Sequence, residues 1–325
     1  LTAGFRASSA SGASSSPASA VNIMVGAGGR AFCAGGDVAA VRAAGLGLGG
    51  AAASLTRDFF YEEYRLNHLI GETNETTPQV SVWDGITMGG GVGVSVHGRF
   101  RVCTEKVLFA KPETGIGLFP DVGASHFLGA MPGATGEYIA LTGARLKHED
   151  LIYAGIATHF VSSDLVDELC AALGEIPADT PAGEARADAV ERILEVFVAR
   201  SPALDVAANS TLARHRGVID ACFAATDVEG IVAALRGVAE DGGDGEAEFA
   251  RQTVETLGSM SPTSLKITLE QVRRGAALGS LGECLQMEFR MCQRLMQDTN
   301  SDFYEGIRAV LVDRDGAPKW DPAAL

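Results

Sequence analysis

Apolar positions fall into two regimes along the chain. Up to about residue 163, short apolar runs alternate with glycine-rich turns, and beyond it long stretches of helical periodicity take over. VNIMV (21–25) reads as a strand, followed by a glycine-rich loop, GAGGRAFCAGGD (26–37), that leads into a helical VAAVRAA. Leu55, Phe59, Phe60, Leu66, Leu69 and Ile70 recur at helical spacing and predict an amphipathic helix over 55–70, with Glu62 and Glu63 near its middle. PQVSVW (78–83) alternates like a strand and runs through GITM into three consecutive glycines, Gly89 to Gly91, at the head of an apolar run. FRVCT (100–104) and VLFA (107–110) are two further strands that bracket a tight Glu105–Lys106 turn. Among the later helices, SPTSLKITLEQV (261–272) starts with Ser261 as N-cap and Pro262 at the first helical position. Strands interleaved with helices in this order predict an α/β fold.

Composition narrows the chemistry. A chain of 325 residues with 46% hydrophobic residues can bury a sizeable core. A net charge of −15 with no Lys/Arg-rich run argues against a nucleic-acid partner, and none is expected. No apolar run is long enough to span a bilayer, so no membrane association is expected. Six scattered cysteines form no CxxC pair, and six dispersed histidines form no HExxH, so neither a disulfide framework nor a metal site is expected. Ala7 to Ala20 uses only Ala, Ser, Gly and Pro, which predicts a disordered segment over 1–20. That segment reads equally as an organelle transit peptide or as the mark of a truncated gene product.

The glycine loops admit several readings. GAGGRA (26–31) formally fits a dinucleotide-binding turn, but the loop continues through FCAGGD and no acid follows between Asp37 and Asp58 to hold a ribose. A phosphate-binding P-loop fails for want of Gly-Lys-Ser/Thr. The two clusters either make tight strand-to-helix turns, or each aims one backbone N–H at a shared point and together they form an oxyanion hole.

Several consecutive motifs carry a family resemblance: AFCAGGD (31–37), GITMGGGVG (85–93) with HGRFRV following, FAKPETGIGLFPDVGAS (109–125), and LTGARL with AGIATHFV. They resemble the crotonase superfamily, most closely its 3-hydroxyisobutyryl-CoA hydrolase branch, and MSPTSLKITL (260–269) and DFYEGIRAVLVDRDGAPKW (302–320) resemble that branch alone. The resemblance implies a crotonase-type core of repeated ββα units over 21–200 and a helical C-terminal region over 201–325. It also implies that the N-terminal ββα unit is incomplete, since no upstream strand pair precedes VNIMV. By motif position, Gly36 and Gly90 would supply the oxyanion-hole amides, the backbone around Ala34 would receive the CoA adenine, and Glu113 would be the catalytic carboxylate. Asp121 falls where the hydrolase branch keeps an acid, placed to hold a substrate 3-hydroxyl. Glu63 matches an acid flanking the acyl pocket, or else is a solvated helix charge. On the residues alone, Glu113 reads first as a helix N-terminal charge and Asp121 as a turn former after Pro120.

One departure sharpens the assignment. Enoyl-CoA hydratases carry a second glutamate where this chain has Gly93, and hydration uses two carboxylates sharing one water. The resemblance therefore implies a thioester hydrolase of valine breakdown acting on 3-hydroxyisobutyryl-CoA. The resemblance implies no cofactor beyond the CoA of the substrate and a mitochondrial location, and a homo-oligomer is left open. The alternatives are an enoyl-CoA hydratase or isomerase, and a non-catalytic hydrolase-like subunit of the mitochondrial ribosome.

Overall fold

The computed structural model describes residues 20–50, 52 and 54–325. Apart from Ala20, the segment expected to be disordered lies outside the described residues. Strands enter the fold in consecutive pairs: β1 (Asn22–Val25) with β2 (Ala31–Cys33), β3 (Gln79–Trp83) with β4 (Ile86–Met88), and β5 (Phe100–Cys103) with β6 (Leu108–Ala110). The first member of each pair joins one parallel sheet, ordered β1-β3-β5-β7 with β7 at His159–Phe160, and the second joins another, ordered β2-β4-β6. Helices follow the pairs: α1 (Val38–Gly45) and α2 (Leu55–Thr73) after the first, and α3 (Gly90–Val96) after the second.

Two local expectations change. Part of the expected loop 26–37 is a strand, because Ala31–Cys33 pairs with β4, so no helix starts at the first glycines as a dinucleotide site requires. The Glu105–Lys106 turn does not close a hairpin. β5 pairs with β3 and β6 pairs with β4, so the turn is a corner between sheets.

Burial explains the layers. Every residue of β3 is buried, as a central parallel strand covered on both faces must be. The buried face of α2 is Phe60, Tyr64, Asn67 and Ile70, whereas Leu69, expected on the apolar stripe, is 56% exposed. Polar Tyr64 and Asn67 thus occupy core-facing positions of a helix, a first sign that this face serves chemistry as well as packing.

Ser261 caps the helix Pro262–Ala277 by accepting from Ser264 N at 3.0 Å, with Pro262 in its first turn, as the sequence predicts. That helix packs on Ala124–Gly129, and the helix Leu281–Gln297 packs on α2. One hydrophobic cluster runs from Phe32, Trp83 and Phe109 of the strand region to Leu235, Leu257 and Leu269 of the helical region, so the two regions share a core. Among the described residues, β1 pairs with β3 alone, and no helix is long and apolar enough to cross a membrane.

Candidate active site

The three strands of the smaller sheet end side by side, and each hands a different chemical group to the same place. β2 leads to Gly35 and Gly36, β4 to Gly89 and Gly90, and β6 to Lys111 and Glu113. Carboxyl ends of parallel strands are where open α/β sheets bind ligands.

The two glycine loops touch. Gly35 has φ 108° and Gly89 φ 54°, backbone that favours glycine, and a Cβ on Gly89 would lie 3.3 Å from Gly35 Cα. A Cβ on Gly90 would lie 3.6 Å from Gly36 N and would collide with Glu63 Oε1. A Cβ on Gly36 would strike the ring of Phe59. Neither amide donates to another group among the described residues, and Gly90 is the first residue of α3, whose N–H has no partner within the helix. Two free donors therefore lie close together, an arrangement compatible with the oxyanion-hole reading. Ala34 stands exposed at the rim of the same loops, and Asp37, the last residue of the loop, caps α1 by accepting from Ala40 N at 3.0 Å.

Beside them lies a sealed cluster of charge. Glu113 opens a single 3-10 turn (Glu113–Ile116) anchored by Thr114, whose hydroxyl donates to Leu141 O and whose carbonyl accepts from Ser261 N. It does stand at a helix start, but it is buried and not solvated. Lys111 Nζ lies 2.8 Å from Glu113 Oε1 and 3.4 Å from Asp121 Oδ1, and Tyr64 donates its hydroxyl to Asp121 Oδ2 at 3.0 Å. Burial pushes the Glu113 pKa up to about 7, with Lys111 opposing and Asp121 reinforcing the rise. Partly buried Glu63 is raised further, to about 8, by burial and then by Asp121. Burial works against the Lys111 ammonium, yet Glu113 and Asp121 hold its pKa above the ordinary lysine value. Glu63 therefore faces the site and is not a solvated helix charge. The acceptors of Asp121 assigned to a substrate hydroxyl are both in use by protein donors.

The loop bearing Asp121 is held from outside the strand region. Val122 adopts φ 57°, a left-handed conformation that is costly for a β-branched residue. His97 Nε2 meets Val122 O at 2.7 Å and, with burial lowering its pKa to about 4, is neutral and donates there. Glu288, wholly buried, accepts from Gly123 N at 2.7 Å, Ser125 N at 2.9 Å and Ser125 Oγ at 2.6 Å, while Gln271 donates to Pro120 O at 2.6 Å. Val122 in turn fills the space next to Gly93, where a Cβ would come within 2.6 Å of Val122 Cβ and 3.0 Å of Asn67 Nδ2.

Gly36, Gly90, Glu113, Asp121 and Glu63 are thus brought together. Lys111, Tyr64, Asn67, Glu288 and Gln271 were not singled out from the sequence. Glu288 had a signal, since it shares the buried face of its helix with Cys284, Leu285, Cys292 and Met296, where an acid is out of pattern. Among the described residues, no group of three or more His, Cys, Asp or Glu side chains could hold a metal ion.

Comparison with known proteins identifies the family. Residues 8–325 match the model of the family described as enoyl-CoA hydratase/isomerase. The chain is 47% identical over 303 residues to a protein named 3-hydroxyisobutyryl-CoA hydrolase, mitochondrial, from Gallus gallus, covering 93% of this chain and 73% of that one. It is 45% identical to the Homo sapiens protein of the same name, covering 93% and 72%. A crystal structure titled a carnitinyl-CoA dehydratase from Mycobacterium thermoresistibile superimposes with TM-score 0.77 at 40% identity, over 94% of this chain and 79% of that one. One titled an enoyl-CoA hydratase from Rhodobacter sphaeroides 2.4.1 gives 0.76 at 32% identity, over 94% and 80%. Long colinear matches of this kind, on a fold with paired strands feeding two parallel sheets, assign the chain to the enoyl-CoA hydratase/isomerase (crotonase) family, alongside the 3-hydroxyisobutyryl-CoA hydrolases.

Proposed function

We propose that this chain hydrolyses the thioester of 3-hydroxyisobutyryl-CoA, giving 3-hydroxyisobutyrate and CoA, and that it works in the mitochondrion. The observation that carries the reading is a sealed, proton-accepting carboxylate, Glu113, at the end of a strand whose neighbours bring two free backbone amides close together. The thioester carbonyl oxygen binds between the N–H groups of Gly36 and Gly90, which are preorganised for the negative charge that develops on it. Glu113 takes a proton from water as the water oxygen bonds to the carbonyl carbon. The C–S bond then breaks, and the departing CoA thiolate takes the proton back. A base with pKa near neutrality is both substantially ionised and a competent proton acceptor. Lys111 keeps Glu113 in place and offsets the neighbouring carboxylates, while Asp121 fixes Lys111. The backbone at Ala34 takes the adenine end of CoA. CoA belongs to the substrate, and no other cofactor enters the reaction.

A hydratase is disfavoured by Gly93, because the second carboxylate that hydration needs is absent and Val122 occupies its space. The test is thiol release from a panel of acyl-CoA thioesters, with hydration of crotonyl-CoA assayed in parallel. Hydrolysis with preference for the 3-hydroxyacyl thioester supports the reading, and hydration without hydrolysis overturns it.

A further inference from the structure

One turn of helix away from the oxyanion hole lies a polar group with nothing to do. Asn67 is wholly buried, and neither its Nδ2 nor its Oδ1 has a hydrogen-bond partner. An amide sealed in this way is destabilising unless something completes its bonding, so such groups in native proteins call for an explanation.

Its position supplies one. α2 and α3 pack together, and their facing residues form two successive rungs. On the first, Glu63 presses on Gly90, which bears an oxyanion-hole amide; on the second, Asn67 Nδ2 lies 3.0 Å from where a side chain on Gly93 would begin. Glu63 and Asn67 are four residues apart and Gly90 and Gly93 three, so the rungs stand about one turn, ~5 Å, apart. An acyl chain whose carbonyl sits on the first rung reaches the second with its third carbon if the Val122 side chain, which packs against Gly93 there, turns aside to admit it. A hydroxyl there is both donor and acceptor, and a primary amide is the side chain that answers both at once. The oxygens of Asp121 already accept from Tyr64 and Lys111, whereas both polar atoms of Asn67 are unused.

We infer that Asn67 is the specificity residue for the 3-hydroxyl of the acyl group, accepting its proton at Oδ1 and donating to its oxygen from Nδ2. The inference rests on the thioester-hydrolase reading above. It makes the buried amide a deliberate sacrifice of stability in the empty enzyme that is recovered when a hydroxyacyl group enters.

Asn67→Leu, similar in volume and without polar atoms, tests this in the full chain. For the parent and the variant, kcat/KM is measured with 3-hydroxyisobutyryl-CoA and with isobutyryl-CoA, together with the melting temperature. The preference for the hydroxyacyl thioester is expected to fall roughly 10- to 100-fold, with isobutyryl-CoA hydrolysis little changed. The melting temperature should hold or rise, because two orphaned polar atoms are removed. Equal loss on both thioesters, an unchanged preference, or a variant that fails to fold would each assign Asn67 a structural role and overturn the inference. Equilibrium binding of the two thioesters to Glu113→Gln, with and without Asn67→Leu, separates this from the function itself. If the parent hydrolyses neither thioester, the hydrolase reading fails, whereas a binding preference for the hydroxyl that survives loss of the amide sinks the Asn67 assignment alone.

Discussion

The ammonium of Lys111 lies 2.8 Å from Glu113 Oε1, and both side chains are sealed from solvent. A buried lysine is tolerable only with its counter-charges in place, and here they are the proposed base and Asp121. The pair makes Glu113 usable: without the cation, burial and Asp121 would drive its pKa higher still.

Lys111→Met should therefore move the activity profile. Its ionised Glu113 population would appear only at higher pH, so kcat/KM should rise on a limb displaced to the alkaline side of the parent's. Leaving two carboxylates without their cation should also destabilise the fold by about 3–5 kcal/mol. A pH–rate profile superimposable on the parent's would remove Lys111 from the account.

The raised pKa of Glu113 also has a signature in stability. Its carboxyl titrates near 4.5 when unfolded and near 7 in the fold, so between those values the native state holds the extra proton and stability falls as pH rises. Glu288, also raised by burial to about 7, acts in the same direction. The melting temperature should consequently decline from pH 5 to pH 7.5, and Glu113→Gln should decline less steeply over that range. Parallel curves for the two proteins would contradict the buried titration of Glu113.

Much of this was legible in the sequence, and the limits have physical causes. AFC (31–33) reads as loop in the sequence because three residues between glycine clusters carry too little periodicity, and only pairing with β4 makes them a strand. Strand propensity could not tell a hairpin from a corner at Glu105–Lys106, since which sheet each strand joins is decided by long-range partners. Motif position marked Gly36, Gly90, Glu113 and Asp121, which sit on consecutive segments. Tyr64, Asn67 and Glu288 lie on helices remote in sequence, where a polar residue on the buried face is the only trace. Lys111, two residues from Glu113, carries no signal of its own in the sequence, because a lysine at a strand end usually reaches solvent.

Position 93 offers a sharp contrast with hydratases. Gly93→Glu should fail to confer hydration of crotonyl-CoA, because its Cβ alone would fall 2.6 Å from Val122 Cβ. Overpacking there should cost about 1–3 kcal/mol of stability and disturb the Asp121 loop, with loss of thioester hydrolysis. A stable variant that hydrates crotonyl-CoA would show that the Val122 loop does not govern the choice of reaction.

Glu288 should act at a distance. Glu288→Gln replaces one acceptor oxygen by an amide donor facing the N–H groups of Gly123 and Ser125, so the loop bearing Asp121 should loosen. Melting temperature and kcat should fall together, although Glu288 meets the loop and not the proposed reacting atoms. Unimpaired activity would mean that the loop is held by Gln271 and His97 alone.

The central claim is that Glu113 serves hydrolysis as a base, and initial rates of CoA release from 3-hydroxyisobutyryl-CoA by the parent and by Glu113→Gln test it most directly. A positioned general base contributes about 10²–10⁴-fold, so the variant should lose at least that much of kcat while remaining folded and still binding the thioester. Thiol release by Glu113→Gln at a rate close to the parent's would contradict the account.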